Sequence, residues 1–308
     1  MPAFFGDWFM ERVRQGFFYQ VNPYNSGLIK GYSLAPEDVD AIGFFTKNPR
    51  PFLKHLDALD GFGYRYYFHF TLNGYPAVFE PNLPPLNERI ETFQELSRRI
   101  GRNRIIWRYD PIIISSVTGE DYHLEMMARI AEQLRGFTDR VYISLLDFYA
   151  KVKKNFKIIN QNEGISFIDL AAAEYRDRRL EFMVRIREIA AGNEMLVLSC
   201  AEKADLREAG IEKGSCIDGK LIRELWKIEK EFPKDPNQRK ECFCAKAVDL
   251  GAYNTCSFKC AYCYANAGKE LIESNLRRHR MDGALLIGDY SAEVEIVKDR
   301  ERKQLPLF

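Results

Sequence analysis

The sequence predicts an α/β fold, a (β/α) barrel of the TIM type, on three observations. Short apolar runs rich in β-branched and aromatic residues alternate with longer segments whose apolar residues recur every three or four positions. This alternation implies a parallel sheet, and six such units at this spacing favour a closed barrel over an open doubly wound sheet. Neither a Gly-x-Gly-x-x-Gly loop nor a Gly-Lys-Ser/Thr phosphate loop occurs, so nucleotide folds built on those loops lose support.

Each unit pairs one strand with one amphipathic segment. The strands are predicted at 17–21, 41–46, 64–72, 104–109, 140–146 and 195–199. The helices are predicted at 4–15, 51–59, 86–100, 121–134 and 168–190.

A breaker-rich stretch divides the chain. Residues 232–238 read Phe-Pro-Lys-Asp-Pro-Asn-Gln, which is typical of a connection between modules. We therefore predict a barrel over 1–230, a cysteine-rich iron–sulfur segment over 231–291 above the barrel mouth, and a charged tail over 292–308.

The charges nearly cancel, with 45 Lys plus Arg against 44 Asp plus Glu. No field of the whole molecule would draw the chain to nucleic acid or to an anionic membrane, so any such binding must be local. No stretch approaches the roughly 18 consecutive apolar residues of a membrane span, and charged residues interrupt the amino-terminal run that a signal peptide needs. We expect a cytoplasmic protein that binds no membrane.

Polar residues recur where the predicted strands end. In a barrel the carboxyl ends of the strands form the mouth, where chemistry is placed, although loops are polar in any case. The candidate catalytic residues are Lys47, Arg108, Asp110, Asp147 and Glu202, and Asn48 and Asn73 are candidate cofactor-binding residues. His69 lies within a strand, where we predict a hydrogen-bonded core residue rather than a ligand.

All seven cysteines lie at or beyond Cys200. In a reducing compartment such clustering indicates metal binding or catalysis rather than disulfides. Cys256, Cys260 and Cys263 have the spacing C-x3-C-x2-C, and three thiolates leave one iron of a four-iron cluster open to a small molecule. Zinc, or a purely structural site, is the alternative, because cysteine spacing alone does not name a metal.

The segment Cys256-Ser257-Phe258-Lys259-Cys260-Ala261-Tyr262-Cys263 resembles the radical S-adenosylmethionine motif, including the aromatic residue before the third cysteine. The resemblance implies a [4Fe-4S] cluster on the three cysteines that binds S-adenosylmethionine, with Tyr262 among the cofactor-binding residues. It also implies a reductant protein such as a flavodoxin or ferredoxin, and a 5′-deoxyadenosyl radical that abstracts a hydrogen atom from substrate.

Two features depart from that superfamily. Its motif normally follows the first barrel strand, whereas here it lies in the last fifth of the chain. A Gly-Gly-Glu segment is absent, and Leu286-Ile287-Gly288-Asp289 is the nearest candidate. The cofactor would then be held differently, for example by residues of the barrel mouth.

Almost the whole chain carries a second resemblance. Its motifs are Pro2-Ala3-Phe4-Phe5, Phe45-Thr46-Lys47-Asn48-Pro49, Trp107-Arg108-Tyr109-Asp110-Pro111, Cys200-Ala201-Glu202, Cys242-Phe243-Cys244 and Asp249-Leu250-Gly251-Ala252-Tyr253-Asn254-Thr255-Cys256. Together they resemble domain-of-unknown-function family 1848, which implies a fold and a cysteine cluster similar to the radical enzymes but no substrate. Members usually begin with a strand ending in Ser-Arg-Arg-Thr-Asp. Either the start of this chain was assigned late or its barrel lacks the first strand.

Four further cysteines form a possible second site. Cys200, Cys216, Cys242 and Cys244 would supply a full set of thiolates for a second [4Fe-4S] cluster or a zinc ion. In the alternative, Cys200 and Cys216 are small buried hydrophobic residues.

The chain ends in Gln304-Leu305-Pro306-Leu307-Phe308, which resembles the peptide that binds the bacterial sliding clamp. The alternative is a terminus that packs on its own domain. Residues 236–281 carry a net charge of +4, which suits an anionic substrate such as nucleic acid.

Three functions remain open. The first is a radical S-adenosylmethionine enzyme acting in nucleic-acid repair or modification, including DNA repair. The second is an iron–sulfur electron-transfer or redox-sensing protein. The third is a zinc-stabilised module that binds DNA or the clamp without catalysis.

Overall fold

A computed structural model describes residues 1–22, 25–290, 296–297 and 305–307. The fold is α/β with a parallel sheet of six strands, as the alternating pattern predicts, and a seventh short strand near the end of the chain is added to it. The chain forms two compact units. Unit 1 comprises Met1–Phe68, Lys246–Ser257 and Ala265–Phe308, and unit 2 comprises His69–Ala245 and Phe258–Tyr264.

The regular elements are numbered in chain order. The strands are β1 (Phe17–Asn22), β2 (Asn25–Ser33), β3 (Ile42–Thr46), β4 (Tyr66–Thr71), β5 (Ile105–Ile112), β6 (Ile114–Ser115), β7 (Arg140–Leu145), β8 (Phe167–Ile168), β9 (Leu196–Cys200), β10 (Glu212–Gly214), β11 (Ile296–Val297) and β12 (Leu305–Leu307). The helices are α1 (Gly6–Gln15), α2 (Leu56–Gly61), α3 (Leu86–Ile100), α4 (Glu120–Leu134), α5 (Ala150–Glu163), α6 (Arg176–Gly192), α7 (Gly219–Trp226) and α8 (Lys269–Arg278).

Unit 2 contains four whole strands of the parallel sheet, in the order β10-β9-β7-β5, and the second half of β4. Trp107 of β5 lies opposite Val141 of β7, and Val141 lies opposite Val197 of β9. These side chains are buried, as expected for parallel strands covered on both faces. Strand β10 pairs in parallel with β9, so the carboxyl ends of these two strands lie side by side. The candidate site lies at these two ends.

Helix α3 has the bounds that the sequence predicts. Ile90, Phe93, Leu96 and Ile100 recur every three or four residues and are buried, so one face of the helix packs on the core. The helix ends at Ile100, and the next residue, Gly101, has a φ of 94°, a conformation that glycine adopts at low cost.

Unit 1 differs from the prediction at its first strand. Residues 17–21 were expected to open the parallel sheet, but β1 pairs antiparallel with β2. The physical reason is the short connection between them, because parallel neighbours need a crossover of a dozen or more residues. The sixth parallel strand is instead β10, three residues of which two are charged, so its sequence carries no strand pattern.

Two helical predictions also need correction. The segment predicted as one helix over 168–190 contains the end of β8 and then α6. Helix α5 was not predicted at all, because only Val152 and Phe156 of its side chains are buried.

The end of the chain is described at two short strands of unit 1. Strand β11 pairs in parallel with β2, and β12 pairs in parallel with β3 through Leu305 opposite Ile42. The sequence left two possibilities for the tail, binding to the clamp or packing on its own domain. This backbone pairing is what the second possibility requires. Gln304 and Phe308 lie outside the described residues, and clamp binding stays a prediction. Within the described part of the chain, no helix has the length and apolarity needed to cross a membrane.

Candidate functional site

Four cysteines of unit 2 meet at the carboxyl ends of β9 and β10. Cys200 is the last residue of β9 and pairs with Gly214, and Cys216 follows β10 by two residues. Cys242 and Cys244 lie on a later loop, which is tied to this edge by a hydrogen bond of 2.9 Å from the backbone N–H of Ala245 to the carbonyl of Ile217. Cysteines up to 44 positions apart are thus brought together by the fold.

We call Cys200, Cys216, Cys242 and Cys244 the thiol cluster. The sulfur atoms of Cys200 and Cys216 are 2.8 Å apart, and side-chain hydrogen bonds join Cys216 to Cys244 and Cys244 to Cys242. All seven cysteines are in the reduced form, outside any disulfide. The four residues assigned to a second site by sequence therefore do lie together.

The protonation states of the thiol cluster are unequal. The hydrogen bond from Cys244 lowers the pKa of Cys242 to about 7. The hydrogen bond with Cys200 lowers the pKa of Cys216, but the bond with Cys244 and burial outweigh it and raise that pKa to about 11. Hydrogen bonding to Cys216, with burial, raises the pKa of Cys200 well above its usual value. The thiol of Cys242 therefore ionises at a lower pH than those of Cys200 and Cys216.

A buried cation lies against the thiol cluster. Nη1 of Arg108 donates a hydrogen bond of 2.9 Å to the sulfur of Cys216. Nε of the same guanidinium lies 3.1 Å from both carboxylate oxygens of Asp110, and Nη2 also donates to that carboxylate. Burial opposes the charge of Arg108, but Asp110 and Cys216 hold its pKa above the ordinary value. The arginine therefore presents a fixed positive charge to one sulfur.

His69 supports the same cysteine from the sheet. Its Nε2 lies 2.8 Å from the carbonyl oxygen of Cys216, and the ring packs edge-on to Tyr142. Burial lowers the pKa of His69 well below its usual value, so the neutral ring donates from Nε2. The prediction that His69 is a hydrogen-bonded core residue is confirmed.

The thiol cluster has the right donors for a metal but not the spacing of a filled site. Among the described residues, no three His, Cys, Asp or Glu side chains are arranged to hold a metal ion. Two thiolates of a tetrahedral zinc site stand about 3.7 Å apart, given Zn–S bonds of about 2.3 Å, whereas Cys200 and Cys216 are closer at 2.8 Å. Cysteine sulfur is the donor that zinc and iron–sulfur centres take, and a metal at the thiol cluster stays a prediction.

Asp147 and Glu202 hold loops at this end of the sheet. Asp147 accepts hydrogen bonds from Arg239 at 2.7 Å and from Lys203 at 3.3 Å. Burial raises the pKa of Asp147, but its hydrogen bond and charge interaction with Arg239 lower it further, so the net direction is down. Glu202 accepts from the backbone N–H of Leu145 at 2.9 Å and of Ala204 at 3.2 Å, and burial raises its pKa.

The three-cysteine motif is divided between the units, with Cys256 in unit 1 and Cys260 and Cys263 in unit 2. In unit 1, the carbonyl of Cys256 accepts a hydrogen bond of 2.9 Å from Asn266. In unit 2, the backbone N–H of Cys263 donates to the carbonyl of Cys260 at 3.1 Å. Lys259, just before Cys260, has a φ of 55°, so the chain turns sharply there.

Tyr262 is a core residue of unit 2. It belongs to the same buried cluster as Phe79, Val152 and Phe156, and its hydroxyl donates to the carboxylate of Glu80. The N–H of Ala261 also donates to the carbonyl of Phe79 at 2.9 Å. These contacts fix residues 260–263 to the unit.

A buried ion pair lies behind Tyr262. Nη1 of Arg89 is 4.0 Å from Oε2 of Glu80, and the two side chains are 4% and 1% exposed. Arg89 also donates to the carbonyl of Asn73 at 2.9 Å, and the Asn73 amide donates to the carbonyl of Asp110 at 2.8 Å. Asn73, a candidate cofactor-binding residue, is thus a link between backbone segments.

Lys47 and Asn48 belong to unit 1, directly after β3. The N–H of Asn48 donates to the hydroxyl of Thr46 at 3.1 Å, and its own side chain accepts from the N–H of Arg50 at 3.1 Å. Asn48 therefore shapes the turn that follows the strand. Their predicted part in catalysis and cofactor binding stays a prediction.

Sequence reasoning did not identify Glu80, Arg89 or Tyr75 as part of this region. The hydroxyl of Tyr75 donates to the carbonyl of Pro111 at 2.7 Å and accepts from the N–H of Ile113 at 2.9 Å. Glu80 and Tyr262 are 182 positions apart, so no local pattern could join them. The sequence offered one signal for this region. Two opposite charges, Glu80 and Arg89, lie on either side of Leu86, where α3 begins.

Comparison with known proteins gives a family and no activity. No protein with a curated description matches the chain. The profile of one family, described as Domain of unknown function (DUF1848), matches residues 1–265, a span that includes all seven cysteines. The resemblance to this family is confirmed, whereas the resemblance to radical S-adenosylmethionine enzymes stays a prediction, and the chain belongs to the family DUF1848.

Proposed function

We propose that the protein is an iron–sulfur enzyme of the radical S-adenosylmethionine type with two metal centres. Cys256, Cys260 and Cys263 would hold a [4Fe-4S] cluster with one open iron, and the thiol cluster would hold a second, fully ligated one. The observation that carries the proposal is the convergence of Cys200, Cys216, Cys242 and Cys244 at the carboxyl ends of β9 and β10, with Arg108 against one sulfur. The carboxyl ends of parallel strands are where α/β folds place their sites.

The side chains around the thiol cluster have definable tasks. With the proposed centre bound, Arg108 would balance the thiolate charge of Cys216 through its hydrogen bond to that sulfur, and Asp110 fixes the orientation of the guanidinium. His69 fixes the backbone of Cys216 through its carbonyl. Such partners set the potential of a sulfur-bound centre and limit access of water to it.

The open cluster would supply the chemistry when S-adenosylmethionine is bound, namely a carbon radical that abstracts a hydrogen atom from substrate. The protein's part is to hold the motif in place. The hydrogen bonds of Tyr262 to Glu80 and of Ala261 to Phe79 support this, because they anchor the backbone between Cys260 and Cys263.

The remaining expectations belong to the same proposal. We include a closed barrel, a cytoplasmic location, reduction by a flavodoxin or ferredoxin, and docking to the sliding clamp through residues 304–308. Support for the barrel is the parallel order of unit 2, and support for an anionic substrate is the net charge of +4 over residues 236–281.

The test is anaerobic reconstitution with iron and sulfide counting. The unaltered chain should hold about eight iron and eight sulfide ions, as two four-iron clusters require. The triple variant Cys256→Ala, Cys260→Ala, Cys263→Ala and the quadruple variant Cys200→Ala, Cys216→Ala, Cys242→Ala, Cys244→Ala should each retain about four of each.

S-adenosylmethionine distinguishes the two centres. It should change the electron paramagnetic resonance spectrum of the reduced chain and of the quadruple variant, and leave that of the triple variant unchanged. An unchanged spectrum with a full cluster would indicate electron transfer instead. About one zinc per triple variant would assign the thiol cluster to zinc.

A further inference from the structure

Helix α5 of unit 2 carries charge of one sign over most of its length. Lys151, Lys153, Lys154 and Lys157 occur within seven residues, and the only acid is Glu163, the last residue of the helix. Val152 and Phe156 anchor the helix in the core, while Lys153, Lys154 and Lys157 are exposed. The charge cannot be explained by pairing along the helix, because surface helices stabilised that way alternate in sign.

Two exposed aromatic rings adjoin the start of this helix. Tyr149 and Tyr264 are 46% and 52% exposed, and their ring centroids lie 6.1 Å apart. Nζ of Lys151 donates a hydrogen bond of 2.7 Å to the carbonyl of Tyr264, which joins the rings to the helix. Tyr264 directly follows Cys263, so the rings border the cysteine motif.

The nearby acid does not cancel this charge. Asp147 accepts from Arg239 and Lys203 together, and from the hydroxyl of Tyr149 at 3.0 Å. One carboxylate against two cations leaves this group positive. The combined aromatic–lysine surface, which we define as Tyr149, Tyr264, Lys151, Lys153, Lys154 and Lys157, therefore keeps its positive potential.

We propose that the aromatic–lysine surface binds single-stranded nucleic acid, with bases on the two tyrosine rings and phosphates on the lysines. Stacking rings beside a cationic track are what an unpaired strand requires, and a duplex offers no exposed base faces. The lysines span about 9 Å of helix, enough for roughly three phosphates. The binding step needs only the polypeptide. It rests on the proposed function in one respect, that the strand would then lie beside the radical-generating motif as its substrate.

The experiment is fluorescence anisotropy with labelled 12-nucleotide strands of DNA and of RNA, and a DNA duplex of the same length. The full chain should bind the DNA strand or the RNA strand more tightly than the duplex. The comparison between the two strands shows whether the surface prefers DNA or RNA. The logarithm of affinity should fall with the logarithm of salt concentration with a slope of about −2, as expected for roughly three phosphates on a single strand.

Variants locate the site. The variant Lys153→Glu, Lys154→Glu, Lys157→Glu should bind at least 10-fold more weakly, and Tyr149→Ala, Tyr264→Ala should lose at least 10-fold. The variant Tyr149→Phe, Tyr264→Phe keeps both rings and should bind normally. The matched control Lys30→Glu, Lys220→Glu, Lys227→Glu changes the net charge equally at exposed positions elsewhere and should bind within about 3-fold of the unaltered chain, because distant exposed charges are screened by salt.

Three results would overturn the inference: no measurable binding to any strand, equal losses in the α5 and control variants, or a duplex preference. Iron content and the response to S-adenosylmethionine are measured on the unaltered chain and on the same α5 variant. If the unaltered chain takes up iron and responds to S-adenosylmethionine but binds no strand, the proposed function stands and the surface assignment fails. If the unaltered chain binds the strand but takes up no iron, the surface assignment stands and the proposed function fails.

Discussion

Replacing Arg89 with leucine is expected to lower the free energy of unfolding by about 3–5 kcal/mol, the usual cost of breaking a buried ion pair. Arg89 and Glu80 are both buried, and their charges face each other at 4.0 Å. The substitution leaves the Glu80 carboxylate in the interior without its compensating cation. It also removes the donors to the carbonyls of Asn73 and Pro84. Urea denaturation measures the loss.

Two controls separate charge from packing. The double variant Arg89→Leu, Glu80→Gln removes the buried carboxylate as well, so it should be more stable than Arg89→Leu alone, and a double-mutant cycle measures the coupling. Arg98→Leu, on the exposed side of the same helix, should cost no more than about 1 kcal/mol. Equal losses for Arg89→Leu and Arg98→Leu would contradict the assignment of a buried pair.

Stability is expected to fall by about 3 kcal/mol between pH 7 and pH 4 through His123 alone. Burial lowers the pKa of His123 from 6.5 to about 4 in the folded chain, and that difference corresponds to about 3 kcal/mol. Burial keeps the ring neutral although Nε2 lies 2.9 Å from the carbonyl of Ile113, a contact that raises the pKa, and Nδ1 lies 2.9 Å from the hydroxyl of Tyr109. The unfolded chain binds the proton first as pH falls through 6.5, so the stability present above that pH is lost towards pH 4.

The comparison uses His123→Gln, which keeps a polar side chain but does not titrate. The variant should be less stable at pH 7, and its stability should change less between pH 6.5 and pH 4 than that of the unaltered chain. Subtracting the two curves removes the contributions of other groups that both proteins share. Parallel curves from urea titrations at each pH would show that His123 is not the group responsible.

Local patterns were sufficient for several of the elements and for grouping the four cysteines of the thiol cluster. Strands β3, β4, β5, β7 and β9 and helix α3 follow from apolar periodicity, because their burial depends on a repeat within one segment. The cysteines could be grouped by residue type alone, because clustered thiols in a reducing compartment indicate metal binding or catalysis.

The remaining features depend on contacts between distant segments. The pairing of β1 with β2 is decided by the length of a connection rather than by the strand's own pattern. Glu80, Arg89 and Tyr262 meet only after folding, and Arg108 was identified as a strand-end residue without its contact to Cys216. The aromatic–lysine surface was missed for a different reason: α5 buries too few side chains to give a periodic signal.

The pairing of β12 with β3 bears on self-association. A sheet edge exposes unpaired backbone groups that can recruit another chain, and here the chain's own end occupies the edge beside β3. The new edge is only three residues long and contains Pro306, which has no N–H to offer a further strand. A clamp that captured this peptide would uncover β3, so shielding of the sheet and capture of the tail would compete for the same three residues.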